Sequence, residues 1–211
     1  MNIWIKTNSL IKKIFHNYIW EIPNNDRKVY LTFDDGPTPE ITQWTLEQLK
    51  KYNAKATFFC IGENITKYPE LFRNVIDDGH TIGNHSFNHL QGWQSSTKNY
   101  LDNVKLCEAE ILHHQSEKTT LFRPPYGKIK LSQSKELRKL GYKIIMWDVL
   151  SADYDLKVTR EQCLKNVLTN INSGSIIVFH DSVKAFPNLE YTLPKTLAFL
   201  REKGFVCEKI I

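Results

Sequence analysis

The chain has 211 residues, of which 41% are hydrophobic and 24% charged, and it carries a formal net charge of +5. This size and balance suit one large globular α/β domain. The four cysteines lie far apart, which argues against a zinc ribbon or a disulfide framework. No apolar run reaches the ~18 residues of a membrane span. Because the basic residues are dispersed, we expect no nucleic-acid partner.

Residues 1–27 are predicted to form an N-terminal amphipathic helix and loop ahead of the main domain at 28–208. Apolar residues recur there at helical spacing, with Lys12 and Lys13 on the opposite side. Such a helix either packs on its own domain, as amphipathic helices usually do, or makes peripheral contact with a membrane. No apolar stretch is followed by a small-residue cleavage site, so we expect no signal peptide and a cytoplasmic location.

Beyond this segment, strand and helix patterns alternate along the chain. Strands are predicted at 29–33, 56–61, 81–85, 121–123, 142–149, 175–179 and 205–210. Helices are predicted at 40–52, 69–77, 97–114, 132–140, 159–171 and 188–203. Regular alternation predicts a parallel sheet with helical crossovers, either an open sheet or a barrel. A barrel is favoured because it gathers five polar strand-end residues around one mouth, namely Asp34, His85, Arg123, Asp148 and His180.

Two adjacent aspartates, Asp34 and Asp35, end the first of these strands. Like charges so close disfavour joint ionisation, and a cation nearby removes that penalty. His85 and His89 supply two imidazoles four residues apart, while Ser86 occupies the position where a zinc protease would need glutamate. One aspartate and two histidines leave coordination positions open, which predicts a catalytic metal rather than a structural one.

A rigid loop, Arg123-Pro124-Pro125-Tyr126-Gly127, follows a later strand. Its prolines fix the backbone, so that Pro125 and Tyr126 are placed among the candidate substrate-binding residues, with the Tyr126 amide as a preset oxyanion donor. His180 directly follows an apolar strand, and this position favours a catalytic role over that of a core histidine.

In this order, the motifs resemble the polysaccharide deacetylase family, carbohydrate esterase family four, over about residues 28–206. The most specific parts are Thr32 to Pro37 and the pair His85 and His89. The resemblance implies a single-domain distorted (β/α)₇ barrel and one divalent metal, usually Zn²⁺ and sometimes Co²⁺ or Ni²⁺. It implies that Asp35, His85 and His89 are the metal ligands.

The same resemblance implies roles for the other motif residues. Asp34 would be the general base, positioned by Arg123, and His180 the general acid. The Tyr126 backbone would bind the oxyanion. Tyr154 and Val178 would line the pocket for the acetyl group.

The implied activity is the removal of N-acetyl groups from a glycan such as a chitin oligomer or peptidoglycan, with release of acetate, by a monomer. An amidase acting on a non-sugar acetamide, such as an acetylated polyamine, remains an alternative. A non-haem iron oxygenase would also use two histidines and one carboxylate. It would not need the acid–base pair of Asp34 and His180, and an inactive carbohydrate-binding module would not be expected to retain it.

The segment around Asp148 departs from the family pattern, because Leu150 stands where an aspartate would tether the catalytic histidine. Tyr154 stands where the family often has tryptophan. Residues two apart on a strand point the same way, so Asp148 is predicted to accept a hydrogen bond from His180 or Arg123. Alternatively, Asp148 lies in the barrel wall and His180 is held by Asp153 or water.

Overall fold

The computed structural model describes residues 4–211. Its strands are Lys28–Asp34 (β1), Ala56–Cys60 (β2), Thr81–Asn84 (β3), Leu121–Phe122 (β4), Lys143–Ile144 (β5), Val149–Leu150 (β6), Ile176–His180 (β7) and Val206–Cys207 (β8). Its α-helices are Ser9–Ile14 (α1), Ile41–Lys51 (α2), Gly62–Lys67 (α3), Pro69–Asp77 (α4), Thr97–Leu112 (α5), Leu131–Lys139 (α6), Arg160–Leu168 (α7) and Phe186–Glu202 (α8). Short 3₁₀ turns lie at Gly92–Gln94 and Pro125–Gly127.

Seven parallel strands form one curled sheet in the order β5-β4-β3-β2-β1-β7-β6, and β8 pairs with the start of β1. The central strands are buried on both faces, as parallel strands covered by crossover helices must be. Every residue of β2 is buried, for example. The predicted (β/α)₇ barrel in a single domain is confirmed.

Three phenylalanines fix the register of the central strands. Phe33 of β1 lies opposite Phe58 of β2 and Phe179 of β7, with ring centroids 5.0 and 6.0 Å away. Successive side chains on a strand point to opposite faces. The next residue of β1, Asp34, therefore points away from this aromatic cluster and lies in register with His180.

The N-terminal segment joins the two edges of the curled sheet. The amide of Thr7 donates to the Asp148 carbonyl (2.9 Å) and that of Ile19 to the Ile144 carbonyl (2.8 Å), so the segment pairs beside both β6 and β5. Unpaired strand edges are reactive surfaces that proteins usually cover. The segment is thus packed into the barrel wall, although the first three residues of the predicted 1–27 unit lie outside the described part.

Helix α1 is shorter than the predicted N-terminal helix. Asn8 caps it by accepting a hydrogen bond from the Leu10 amide (2.8 Å). Ile11 and Phe15 pack against a core cluster, whereas Leu10 and Ile14 are about 60% exposed. The helix therefore packs on its own domain, and membrane contact through its outer side stays a prediction. Within residues 4–211, no helix has the length and apolar character needed to cross a bilayer.

The predicted strand at 142–149 is wrong, because the chain leaves the ladder after Ile144 and rejoins it at Val149. In between, the carbonyls of Ile145 and Met146 accept hydrogen bonds from the Arg123 guanidinium, at 3.3 and 2.9 Å. Arg123 thus binds two backbone carbonyls in the region where the predicted strand is interrupted.

Candidate metal and catalytic site

A cleft of about 430 Å³ opens at the carboxyl ends of the strands. Its lining includes most of the residues predicted from the sequence, namely Asp34, Asp35, His85, His89, Tyr126, Tyr154, Val178 and His180. Arg123 lies beneath it and is fully buried. The barrel therefore brings together residues from five separated motifs, as barrel enzymes do at this end of their strands.

Asp35, His85 and His89 form the one cluster within residues 4–211 whose side chains could hold a metal ion. Asp35 Oδ1 lies 3.3 Å from His89 Nε2 and 3.7 Å from His85 Nε2. This carboxylate oxygen is buried and has no hydrogen-bond partner among the described residues. A buried acceptor left unpaired is costly, so a cation at this point fits the donor set.

Both histidines are suited to act as neutral ligands. His85 Nδ1 lies 2.8 Å from the Arg123 carbonyl, so it carries the proton and leaves Nε2 directed toward Asp35. Burial lowers the pKa of His85, and burial together with the neighbouring His85 lowers the pKa of His89 to about 4. Metal binding requires deprotonated imidazoles, and these two are neutral at physiological pH.

The segment from His85 to His89 is a loop after β3, not a helical turn. Ser86 and His89 have φ angles of 65° and 57°, a region that non-glycine residues seldom occupy. The Asn84 side chain holds the loop by accepting from the Ser86 amide (2.8 Å) and donating to the Val104 carbonyl (2.9 Å). Local strain of this kind persists when the surrounding structure fixes it, and it clusters at functional sites.

Asp34 and Arg123 form a buried ion pair at the floor of the cleft, with Nη1 2.7 Å from Oδ1. Arg123 also donates to Thr32 Oγ1 (2.7 Å) and lies 4.2 Å from the Phe59 ring centroid. Burial by itself would raise the pKa of Asp34, but the charge and hydrogen bond of Arg123, together with nearby His85 and His180, outweigh it and hold that pKa below its usual range. Asp34 is therefore ionised and fixed in place, as a general base must be.

His180 is held by Asp153, which was the alternative to Asp148 as the partner of this imidazole. His180 Nδ1 lies 2.8 Å from Asp153 Oδ1, and its backbone amide donates to Oδ2 of the same carboxylate, also at 2.8 Å. Burial would lower the pKa of His180, but Asp153 reverses this and raises it to about 9. The imidazole is protonated at neutral pH, and its other nitrogen is free toward the cleft.

Known proteins are similar to this chain in sequence and in architecture. The family model for polysaccharide deacetylases matches residues 21–145, more than half of the chain. A peptidoglycan-N-acetylglucosamine deacetylase of Bacillus cereus is 35% identical over 187 residues, which cover 88% of this chain and 87% of that protein. The chain belongs to the polysaccharide deacetylase family. It is a metal-dependent hydrolase of carbon–nitrogen bonds that removes N-acetyl groups from glycans.

Two further relatives agree with this assignment. The chitooligosaccharide deacetylase of Azorhizobium caulinodans is 33% identical over 170 residues, 76% of each chain. The crystal structure of the Bc1960 peptidoglycan N-acetylglucosamine deacetylase, in complex with 4-naphthalen-1-yl-N-oxidanyl-benzamide, superimposes with a TM-score of 0.89. It is 30% identical and the match covers 97% of this chain and 95% of that one.

The prediction that Asp148 tethers His180 or Arg123 in this deacetylase is wrong. The Asp148 carboxylate instead contacts Lys6 (2.5 Å), Lys12 (2.6 Å) and Ser175 Oγ (2.6 Å), in the wall where the N-terminal segment packs. The prediction assumed an unbroken strand through residues 148 and 150. Strand β6 begins only at Val149, so alternation does not carry over to Asp148.

Asp181 is a site residue whose role sequence reasoning missed. Its carboxyl group accepts hydrogen bonds from the Gly36 amide (3.1 Å) and from Thr42 Oγ1 (2.5 Å). A Cβ at position 36 would lie only 2.0 Å from Asp181, so glycine is required there. Burial raises the pKa of Asp181 to about 8. The Asp181 carboxyl group thus holds the turn that follows Asp35. In the sequence, its position directly after His180 was the one feature that could have pointed to it.

The residues predicted to contact the substrate do not all line the cleft. Tyr126 lines the cleft with its ring centroid 4.4 Å from that of His89, and Tyr154 meets His180 edge-on at 5.0 Å. Val178 lines the cleft, together with Leu150. Both Pro124 and Pro125 are buried, and of the two only Pro124 lines the cleft. A substrate contact from Pro125 stays a prediction.

Proposed function

We propose that this enzyme deacetylates N-acetylglucosamine residues of a peptidoglycan-type glycan. The observation that carries the proposal is the arrangement of an ionised Asp34 and a protonated His180 beside the cluster of Asp35, His85 and His89. Hydrolysis of an acetamide requires a base for water and an acid for the departing nitrogen, and the cleft holds both. The glycan is inferred from what the relatives' names say that they act on.

Asp35, His85 and His89 would hold the metal, and we propose that the ion is Zn²⁺. One carboxylate and two neutral imidazoles are ligands that zinc accepts in catalytic sites, with further positions left open. Cobalt or nickel would also accept this donor set. The bound ion supplies Lewis acidity toward the acetamide oxygen and lowers the pKa of water to about 7.

The side chains of the protein account for the proton transfers. Asp34 Oδ accepts a proton from water as the water oxygen attacks the acetamide carbon. The Tyr126 amide would donate to the oxygen that gains negative charge. His180 then delivers a proton from its cleft-facing nitrogen to the sugar nitrogen as the carbon–nitrogen bond breaks. The products are acetate and a free amino sugar.

The acyl group would lie in an apolar corner formed by Leu150, Tyr154 and Val178, which all line the cleft. Tyr154 packs against His180, so the corner is next to the proton donor. Apolar pockets discriminate by size, and a corner formed by side chains this large suits a methyl group rather than a longer chain.

Acetate release tests the proposal directly. The substrates are a peptidoglycan-derived glycan oligomer, chitotetraose and N-acetylputrescine, each assayed after chelation and after addition of zinc, cobalt or nickel. We expect release from the glycans only with metal, fastest with the peptidoglycan oligomer. His85→Ala should abolish both metal binding and release, whereas His16→Ala, at an exposed position in the N-terminal segment, should change neither.

Two results would contradict the proposal. One is full activity in excess chelator, and the other is release from N-acetylputrescine alone, which would favour the amidase alternative. The monomeric state and the cytoplasmic location expected from the sequence stay predictions. Gel filtration and cell fractionation would test them.

A further inference from the structure

At the rim of the cleft, two aromatic rings and one lysine form a surface whose side chains take no part in the proton transfers described above. Trp93 is 59% exposed and Tyr126 is 58% exposed, which is unusual for side chains of this size. The Lys128 ammonium lies near both, 5.5 Å from the Trp93 ring centroid and 6.0 Å from that of Tyr126. We call these three residues the aromatic ledge.

The ledge is held rigidly from beneath. Trp93 Nε1 donates to the Ile129 carbonyl (3.2 Å), which fixes the indole ring while 59% of the side chain stays exposed. The buried amide of Gln133 donates to the Gly92 carbonyl (2.8 Å) and so anchors the short turn that carries Trp93. A Cβ at Gly92 would lie 2.5 Å from the Lys128 carbonyl, so the turn and the lysine segment are in close contact. An exposed ring fixed in this way is preorganised for binding.

The charge of the ledge is unpaired. Lys128 lines the cleft and forms no ion pair within residues 4–211, and Lys184 on the Tyr154 side of the cleft forms none either. The carboxylates of the cleft do not neutralise it, because Asp34 pairs with Arg123 and Asp35 faces the two histidines. The cleft rim therefore favours a substrate that carries negative charge near the reacting sugar.

We propose that the aromatic ledge is a binding subsite for the sugar next to the one being deacetylated, and that Lys128 pairs with a carboxylate on that sugar. The inference rests on the proposed function and refines its substrate to an acidic glycan, such as one bearing a lactyl ether. The apolar face of a sugar ring would stack on Trp93, while the ammonium between the two rings would meet the carboxylate.

The test compares an acidic glycan with the same glycan after methyl esterification of its carboxylates. For Lys128→Gln, we expect KM for the acidic glycan to rise about 2–5-fold, the range of a partly exposed ion pair, with kcat unchanged. KM for the methyl ester should stay constant. Lys128→Arg should restore the wild-type KM, and 0.5 M NaCl should reduce the difference between acid and ester.

Trp93→Ala tests the stacking contact separately. It should raise KM about tenfold for both the acid and the ester, because a ring face does not distinguish charge. Lys105→Gln, at an exposed position of α5, is the matched control for the loss of one positive charge and should change neither KM. An equal effect of Lys128→Gln on acid and ester, or an unchanged KM in Trp93→Ala, would overturn the proposal.

Failure of the ledge can be told apart from failure of the proposed function. If the wild-type enzyme releases no acetate from any glycan, the proposed function is wrong. The ledge is then still tested by calorimetric titration of the wild-type protein with the acid and its ester. Tighter binding of the acid that is lost in Lys128→Gln would support the subsite, and equal binding would reject it.

Discussion

Two buried carboxylates lie five residues apart on one stretch of chain and serve different regions of the molecule. Asp153 belongs to the mouth of the barrel, where it holds His180. Asp148 belongs to the seam, by which we mean the contact of the N-terminal segment with β5 and β6, where it holds Lys6 and Lys12. Both carboxylates are inaccessible to solvent.

Burial and charge therefore do not by themselves separate a carboxylate that serves the candidate site from one that serves the fold. The difference lies in the partner. Asp153 binds a side chain whose pKa can lie near the working pH and whose other nitrogen faces a cleft. Asp148 binds two ammonium groups and a hydroxyl, which leaves nothing to exchange protons with a substrate.

The largest effect is expected at the floor of the mouth. Asp34→Asn removes the proposed base but leaves the proposed metal ligands Asp35, His85 and His89 in place, so acetate release should fall about 10²–10⁴-fold while bound metal is unchanged. Steady-state kinetics together with metal analysis of the same sample measures this. A variant that retains its metal and most of its activity would show that another group accepts the proton.

Exchanging the two carboxylates for amides gives the next largest effect. Asp153→Asn removes the anion that raises the pKa of His180 to about 9. In the proposed mechanism His180 acts in its protonated form, so the basic limb of the pH–rate profile should move to lower pH, and kcat should fall about 10–10²-fold. Asp148→Asn, the matched control, should leave that limb in place. A basic limb that shifts in Asp148→Asn but not in Asp153→Asn would reverse the assignment.

Asp148→Asn should instead act on stability. It leaves Lys6 and Lys12 without their shared partner, but both lysines can reach solvent, so we expect a loss of about 1–3 kcal/mol in the free energy of unfolding. Denaturant titration at pH 7 measures the loss. Asp153→Asn, assayed in the same way, tests whether the cost is specific to the seam.

The same seam predicts a pH dependence. Burial opposes the ionised form of Asp148, but its bonds to Lys12, Lys6 and Ser175 dominate and lower its pKa. A lowered pKa stabilises the fold above the unfolded value of about 3.9, and this contribution is lost as the pH falls further. As the pH falls below about 3.9, the stability difference between the wild type and Asp148→Asn should therefore shrink. A difference that stays constant down to pH 2 would contradict this account.

The smallest effect concerns acyl size. Val178→Ala enlarges the apolar corner, so the ratio of N-butyryl to N-acetyl cleavage should rise about 5–10-fold, as for one or two methylene groups in an apolar pocket. Competition between the two substrates measures the ratio. Val167→Ala, a buried valine of α7, is the control for cavity formation away from the cleft. An unchanged ratio in Val178→Ala would remove this residue from the acyl pocket.

The barrel and most residues of the cleft could be predicted from the sequence because short-range patterns determine them. Asp34 follows an apolar strand, and the strand-end positions of His85, Arg123 and His180 could be read from their neighbours alone. Parallel strands then bring such ends together. These predictions needed no knowledge of which side chains touch.

The tether of His180 depended on information that local patterns do not carry. Side chains alternate between the two faces of a sheet only while the strand is continuous. Here the strand is interrupted where Arg123 donates hydrogen bonds to the carbonyls of Ile145 and Met146. Asp153 follows a residue with a φ angle of 63°, Ala152, which turns the backbone in a way that strand periodicity cannot anticipate. The partners of Asp148 are more distant still, because Lys6 lies 142 residues away.

That separation has a consequence for how the chain is made. Lys6 leaves the ribosome long before Asp148 is synthesised, so the seam can close only after most of the barrel has emerged. Contacts between such distant positions form late, because the loop between them must first be ordered. Until then, the edges of β5 and β6 are open to other chains. The nascent protein is therefore most exposed to aggregation just before its first residues take their place.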